Sequence, residues 1–208
     1  MSSRQKIVKR IDMLRDAITL LDSVRIGFYI DITSLEKNLS ELKLKDTPLS
    51  VEGIVEEARA ILSIPLRAPE FSRLKKLNRL ASVLLVIGFL SLITSMAMVF
   101  FLEFSYFLYT LLLVIALVCV NASYFLRLYV SHRIVKIYVR NKSELEERGR
   151  VLKQAIEYLL TKLRDEVRKL GLNPTNYTIE LRNTDYKGLK VIKRPGVFRS
   201  TYVLTFKR

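Results

Sequence analysis

Residues 80–126 decide the fold: LASVLLVIGFLSLITSMAMVFFLEFSYFLYTLLLVIALVCVNASYFL. These 47 residues carry one charge, Glu103, whereas the other 161 residues carry the remaining 54. Residues 80–102 and 104–126 each supply 23 uncharged residues. As a helix, each span is about 35 Å long, enough to cross a hydrocarbon layer of about 30 Å. Because two helices that are apolar all round are hard to bury in a small soluble protein, the sequence predicts a two-span transmembrane hairpin that turns at residues 102–105.

Positive charge flanks this hairpin only at the two ends that lie away from the turn. The turn contains neither Lys nor Arg, whereas both flanks are basic: Arg67, Arg73, Lys75, Lys76 and Arg79 precede the first span, and Arg127, Arg133, Lys136, Arg140 and Lys142 follow the second. Lys and Arg are retained on the cytoplasmic side of a membrane. We therefore expect a multi-pass protein of the cell membrane with both termini in the cytoplasm and the turn outside.

Small residues recur along one face of each span. Gly88, Ser91 and Ser95 share a face of the first helix, and Ala116, Cys119 and Ser123 share a face of the second. Small side chains at these spacings let two helices approach closely in lipid, so we expect these six residues to form the contact within the hairpin. The spans contain no ionisable side chain that would indicate a transport path, and Asn121 is expected to form an interhelical hydrogen bond.

The N-terminal region carries an apolar repeat with alternating spacings of four and three. It is broken only by Arg25, and its members are Ile7, Ile11, Leu14, Ile18, Leu21, Phe28, Ile32, Leu35, Leu39 and Leu42. This repeat predicts a coiled-coil or helical-bundle arm. Residues 24–32 also alternate like a strand, with Thr33 and Glu36 as a capping box for a new helix. We favour a helix with an irregularity around Gly27, and a short amphipathic helix over residues 50–63.

A second apolar stripe follows the hairpin. No proline occurs from residue 127 to residue 173, so the second span is expected to continue as a helical stalk to Leu170 and to stop before Pro174. The stripe consists of Leu145, Leu152, Ile156, Leu159, Leu163 and Leu170. It can pair antiparallel with the N-terminal stripe of the same chain, or with a second copy to give a homo-oligomer.

Beyond Pro174 the apolar period changes to two. Residues 177–181, 189–193 and 198–206 are predicted strands of a small antiparallel β-meander, which needs a helix to pack against. The fold class is therefore a mainly α membrane protein with a transmembrane hairpin, cytoplasmic helical arms and a small β appendage. The predicted regions are residues 1–68, 69–126, 127–171 and 172–208, for the arm, hairpin, stalk and appendage.

Several classes of chemistry are excluded by residue counts and motifs. One Cys and one His leave no disulfide framework and no Cys or His metal cluster. Seven scattered glycines form neither a phosphate-binding loop nor a dinucleotide fingerprint. Adjacent carboxylates such as Glu56 and Glu57 point about 100° apart on a helix and do not form an acid–base pair. We therefore predict no catalytic residue, metal or cofactor. The composition is otherwise typical of thermophiles.

The basic C-terminal region is the only candidate binding site in the sequence. Residues 172–208 hold eight Lys and Arg against two acidic residues, mixed with aromatics such as Tyr186, Phe198 and Tyr202. The residues proposed to contact an anionic partner are Lys187, Lys190, Lys193, Arg194 and Arg199. Three interpretations fit this pattern. The region binds anionic lipid headgroups, it binds ribosomal RNA, or it is a soluble surface whose positive charge only helps to fix the membrane topology. Strand alternation is expected to place Lys190 and Lys193 on opposite faces.

Three functions fit these features. The first is a non-enzymatic membrane scaffold or adaptor that presents a cytoplasmic helical module to a protein partner. The second is a membrane-biogenesis or secretion accessory that docks a ribosome or assembly machinery through the basic C-terminal region. The third, a subunit of an oligomeric channel or transporter, is disfavoured by the absence of intramembrane charge.

Overall fold

The computed structural model describes residues 3–28, 30–42, 44, 50–101, 106–196 and 199–207, without the side chains of residues 3 and 99–101. Across this part of the chain, six α-helices precede a three-stranded antiparallel sheet. The helices are α1 (Ser3–Arg25), α2 (Ile32–Glu41), α3 (Val51–Ser63), α4 (Phe71–Phe101), α5 (Tyr106–Arg140) and α6 (Lys142–Lys169). The strands are β1 (Thr178–Leu181), β2 (Leu189–Lys193) and β3 (Tyr202–Phe206). The predicted mainly helical chain with a small antiparallel sheet is confirmed.

The chain forms two compact units. Unit 1 comprises Met1–Ile64 and Asn141–Arg208, and unit 2 comprises Pro65–Arg140. The division at residue 140 differs from the predicted stalk, because the helix is interrupted at Asn141, where the backbone adopts φ −103° and ψ 32°. Residues 127–140 therefore belong to α5 in unit 2, and α6 begins afresh in unit 1.

Helix α1 ends where Arg25 interrupts the apolar repeat. Gly27 adopts φ +79°, a left-handed conformation that glycine tolerates, and its N–H donates to the Val24 carbonyl at 2.8 Å. Helix α2 then starts after Asp31, whose side chain accepts a hydrogen bond from the Thr33 N–H at 3.1 Å. The predicted irregularity around Gly27 is confirmed, but the favoured continuous helix through residues 24–32 is wrong, and so is the strand alternative. The cap is Asp31 rather than Thr33 because its carboxylate satisfies a free N–H of the first turn.

The two apolar stripes of unit 1 are buried against each other within one chain. The Arg25 carbonyl lies beside Gly149, near the start of α6, and Arg10 faces Glu166 near its end at 3.4 Å, so α1 and α6 run antiparallel. Helices α2 and α3 also pack on this pair. The largest fully buried side chains of the resulting core are Leu14, Ile18, Leu21, Leu35, Leu39, Leu42, Ile54, Ile61, Leu152, Ile156 and Leu159.

The sheet follows a glycine helix stop. Gly171 adopts φ +76°, and the Leu172 N–H donates to the Val167 carbonyl at 3.3 Å, which closes α6 with a Schellman-type cap. The core face of the sheet is apolar, with Ile179, Leu181, Leu189, Leu204 and Phe206 buried, and β1 contacts α1.

The strand order is β1-β3-β2, so the predicted meander is wrong. Both β1 and β2 pair antiparallel with β3 and therefore run parallel to each other at the two edges. The physical reason lies in residues 182–188, the β1–β2 connection. Its side chains and backbone are hydrogen-bonded to α1 and α6. These bonds keep β2 from pairing directly with β1, and β3 lies between them and pairs with both.

Unit 2 contains two helices that are long and apolar enough to cross a membrane. Only 17% of the most apolar 18-residue window of α4 is buried, and 11% of that of α5. A core helix of a soluble protein would be mostly buried. Large apolar side chains instead cover the outside of the pair, including Ile93, Leu117 and Phe125, which are 59%, 66% and 63% exposed.

Candidate functional site

The two apolar helices of unit 2 pack through small residues. A Cβ atom added to Gly88 would lie 2.9 Å from the Val120 side chain, and 3.3 Å from both the Ala116 carbonyl and the Cys119 Cβ. Such a Cβ would collide, so only glycine permits this distance between the helices. Ser95, Ala116 and Ser123 are buried in the same unit, and Ser91 and Cys119 are half-buried.

The hydroxyl of Ser123 joins the two helices. Its Oγ donates to the Ala81 carbonyl of α4 at 2.7 Å. Asn121, for which we expected this role, instead donates from Nδ2 to Leu117 of its own helix at 2.8 Å and is exposed. That expectation is wrong because Asn121 lies on the outward side of α5, where its side chain shares the helical carbonyl four residues back.

The ends of the helix pair remote from residues 102–105 meet. Arg140, at the end of α5, lies 3.3 Å from Glu70, just before α4. The basic residues that flank the spans therefore gather at one end of unit 2, and both connections to unit 1 leave from that end. The turn itself and its Glu103 lie outside the described residues.

In unit 1, the most buried ionisable side chain is Asp22 of α1, which is fully enclosed. Its carboxylate accepts hydrogen bonds from three groups of the β1–β2 connection: the Arg182 backbone N–H, the Asn183 side-chain amide at 2.8 Å and the Tyr186 hydroxyl. A buried carboxylate is stable only when its oxygens are hydrogen-bonded. Asp22 therefore ties the sheet to α1 across 160 residues of sequence.

A second ionic cluster lies beside Asp22. The two terminal guanidinium nitrogens of Arg25 each donate to the Asp185 carboxylate at 2.9 Å. The Lys153 ammonium of α6 lies 3.0 Å from the same carboxylate. The guanidinium also lies over the Tyr186 ring, 5.2 Å from its centroid. Arg25, which interrupts the apolar repeat, thus joins α1, α6 and the β1–β2 connection.

These contacts shift the titration of three side chains. Hydrogen bonds from Arg25, and then from Lys153, hold the pKa of Asp185 well below its usual range despite partial burial. Burial and the neighbouring Asp22 carboxylate raise the pKa of Tyr186. Burial acts to lower the pKa of Arg25, but hydrogen bonding to Asp185 and interaction with Tyr186 raise it overall. All three therefore keep their ordinary ionisation states at neutral pH, as in a structural ion cluster.

A groove of about 300 Å³ lies between α1 and α2. Its walls are largely cationic, and Lys9 pairs with Glu41 across it at 3.3 Å. No nucleophile with an adjacent base is found among the described residues that line it. In the same part of the chain, no three His, Cys, Asp or Glu side chains are placed to hold a metal ion.

The five predicted anion-binding residues lie on different parts of the sheet. Lys190 and Lys193 belong to β2, Arg194 follows it, Arg199 lies in the turn before β3, and Lys187 lies in the β1–β2 connection. All are exposed. Arg199 approaches Glu180 of β1 at 3.8 Å, and the backbone N–H of Lys187 donates to Glu157 at 3.1 Å.

Lys190 and Lys193 lie on the same face of the sheet, which corrects the expectation of opposite faces. Lys190 pairs with Thr205 and Lys193 with Val203, two residues apart on β3. The register shifts between Val191 and Lys193, so a β-bulge adds one residue and restores the side of the second lysine. Simple alternation could not reveal this bulge.

The aromatic residues expected to accompany these charges are largely withdrawn from solvent. Tyr186 is 4% exposed because its hydroxyl binds Asp22, and Tyr202 is half-buried. Phe198 lies outside the described residues. Sequence reasoning missed the Asp22 and Arg25 clusters, although the break of the apolar repeat at Arg25 was a usable signal for the second.

Comparisons of the chain with protein-family models, with curated proteins and with solved structures found no match. The function has therefore to follow from the chemistry of the residues themselves.

Proposed function

We propose that the protein is a non-enzymatic integral membrane scaffold that anchors unit 1 to the cytoplasmic face of a membrane. The observation that carries this proposal is the exposed apolar surface of α4 and α5. More than four-fifths of the most apolar window of each helix is unburied. Such a surface is stable in lipid and unfavourable in water.

The proposed orientation rests on charge. The Lys and Arg residues near the spans gather at the Glu70–Arg140 end of the pair, and residues 102–105 contain none. Retention of positive charge on the cytoplasmic side supports a cytoplasmic position for both chain connections, and hence for unit 1.

The adaptor role is supported by how unit 1 uses its polar groups. Asp22, Arg25, Lys153 and Asp185 bind one another or the β1–β2 connection, so they hold the module in shape. Exposed charged helix faces and a basic edge strand remain available to partners. This arrangement fits a module that binds a protein partner.

Membrane insertion is tested by extraction of native membranes with alkaline carbonate, followed by detergent. The full chain is expected to resist carbonate and urea and to dissolve in detergent, because apolar burial in lipid does not depend on charge. Complete release by carbonate would contradict the anchor.

The second candidate is a membrane-biogenesis or secretion accessory that docks a ribosome or assembly machinery. The observation that favours it is the excess of eight basic over two acidic residues in residues 172–208. Affinity purification from native membranes separates the alternatives. A defined protein partner supports the adaptor, ribosomal RNA and proteins support docking, and homo-oligomers alone support the channel subunit.

A further inference from the structure

Strand β2 presents an unusual surface at the edge of the sheet. Only Leu189 of its five residues is buried. Val191 and Ile192 are 36% and 49% exposed, between the exposed side chains of Lys190 and Lys193. We call residues 190–194 the β2 surface.

The charges of the β2 surface lack intramolecular counterions. Among the described residues, Lys190, Lys193 and Arg194 form no ion pair, whereas Arg25, Arg148 and Lys153 of unit 1 are paired with carboxylates. Unpaired basic side chains also lie on the helices, but on β2 they are adjacent. The bulge directs both lysines to the same face, so their charges add there.

We infer that the β2 surface binds anionic lipid headgroups. The inference rests on the proposed membrane anchor, and it names lipid as a partner of unit 1. Lysine and arginine side chains reach phosphates while their stems and neighbouring aliphatic residues lie against the apolar side of the interface. Exposed Ile192 and the aliphatic stems of the two lysines supply that contact, because Val191 pairs with Leu204 and lies on the other face of the sheet. Because the spans tether unit 1, the headgroups are present at a high effective concentration.

Lipid fits this surface better than RNA does. Recognition of single-stranded RNA relies on aromatic side chains that stack on bases. In the described part of the appendage, Tyr186 and Phe206 are each 4% exposed and Tyr177 and Tyr202 are half-buried. The exposed apolar residues of β2 itself are aliphatic.

The test uses the full chain in nanodiscs. In a Cys119→Ala background, Gly196→Cys is labelled with an environment-sensitive fluorophore, and nitroxide-headgroup lipids act as quenchers. Gly196 lies two residues beyond the β2 surface, and a Cβ added there meets no atom within 4 Å. The discs contain phosphatidylcholine alone or mixed with phosphatidylglycerol. We expect blue-shifted emission and quenching only with phosphatidylglycerol, and reversal in high salt because the attraction is screened.

Charge neutralisation gives the matched comparison. The variant K190Q/K193Q/R194Q is expected to lower the ratio of lipid-bound to free β2 surface by about fivefold per charge, or roughly a hundredfold. The control K37Q/R150Q/R168Q removes three exposed charges of the helices that form no ion pair among the described residues, and it should leave the quenching unchanged.

Quenching that is equal in both lipid compositions, or equally reduced by the control variant, would overturn the inference. So would fluorescence that responds to added structured RNA but not to phosphatidylglycerol. If the chain inserts into nanodiscs and shows no headgroup contact, only this inference fails. If the chain does not insert and is released by carbonate, the membrane anchor fails with it.

Discussion

Unit 1 buries its large apolar side chains, whereas unit 2 exposes side chains of the same types. In unit 1, Leu14, Leu39 and Leu159 are fully buried, whereas Leu117 and Ile93 of unit 2 are 66% and 59% exposed. Burial of apolar surface from water stabilises a fold, so unit 1 has the distribution of a water-soluble bundle. Unit 2 has the distribution that lipid favours. One chain thus carries a unit with a buried apolar core and a unit with an exposed apolar surface.

The polar groups differ in the same way. In unit 1, Asp22 and Asp185 each bind a group 160 residues away in the sequence. Asp185 also bridges Arg25 of α1 and Lys153 of α6. In unit 2, Ser95, Ser123 and Asn121 donate to backbone carbonyls. Charged side chains therefore connect distant elements in unit 1. Within the apolar helices of unit 2, uncharged hydroxyl and amide groups bind backbone carbonyls, and of these three only Ser123 reaches the other helix.

The largest effect is expected at the core of unit 1. Leu159→Asp places a charge in a fully buried site and should cost about 4 kcal/mol or more. Limited proteolysis should then cleave unit 1 rapidly while α4 and α5 stay protected in the membrane. The matched control is Leu172→Asp, since Leu172 is 53% exposed, and its protease protection should not change. Equal protection of both variants would mean that the stripe is not core.

The next effect concerns the buried carboxylate. Asp22→Ala leaves three donors of the β1–β2 connection unpaired, and we expect a loss of about 3 kcal/mol. Hydrogen exchange of the Arg182 amide should accelerate, and the unfolding midpoint of unit 1 should fall. Asp16→Ala, at an exposed site of the same helix, serves as the control. Similar losses in the two variants would contradict the role of Asp22.

A comparable effect is expected when a charge is placed on the apolar surface of the proposed second span. Leu117 and Leu172 are both more than half exposed, but only Leu117 belongs to a proposed span. Leu117→Asp should raise the free energy of membrane insertion by about 3 kcal/mol, measured from the inserted fraction in a translocon assay. An inserted fraction equal to that of the parent chain would indicate that Leu117 does not face lipid.

The smallest effect is a pH dependence at Asp185. Its pKa is depressed by Arg25 and Lys153, so it stabilises the fold above the unfolded value of about 3.9 and loses this contribution as the pH falls through the folded pKa. Because the carboxylate is 48% exposed, Asp185→Asn should cost only about 1 kcal/mol at neutral pH. Urea unfolding at neutral and acid pH should show the difference from the parent shrinking below about pH 4.

Local features of the fold were predictable because they depend on neighbouring residues. The position of β2, the helix stop before Pro174 and the two apolar helices all follow from periodicity, glycine and proline. Position 25 was also visible as a break in a repeat. Helix α1 ends at the irregularity predicted around Gly27, which adopts φ +79°. The sequence did not indicate that Arg25 would bind Asp185, 160 residues away.

Long-range features were not predictable for the same reason. The strand order depends on the hydrogen bonds that hold the β1–β2 connection on α1 and α6. The shared face of Lys190 and Lys193 depends on a bulge, which one strand's sequence does not specify. The interhelical hydrogen bond of Ser123, rather than Asn121, depends on the rotation of α5.

Cysteine labelling of the full chain tests the proposed anchor and its orientation most directly. In a Cys119→Ala background, a membrane-impermeant thiol reagent should label Ser105→Cys in intact cells, because the turn of the hairpin is expected outside. Ser3→Cys and Ser200→Cys, one in each terminal segment of unit 1, should react only after the cells are permeabilised. Labelling of either terminal cysteine in intact cells, or protection of the cysteine at position 105, would contradict the proposed two-span anchor with a cytoplasmic module.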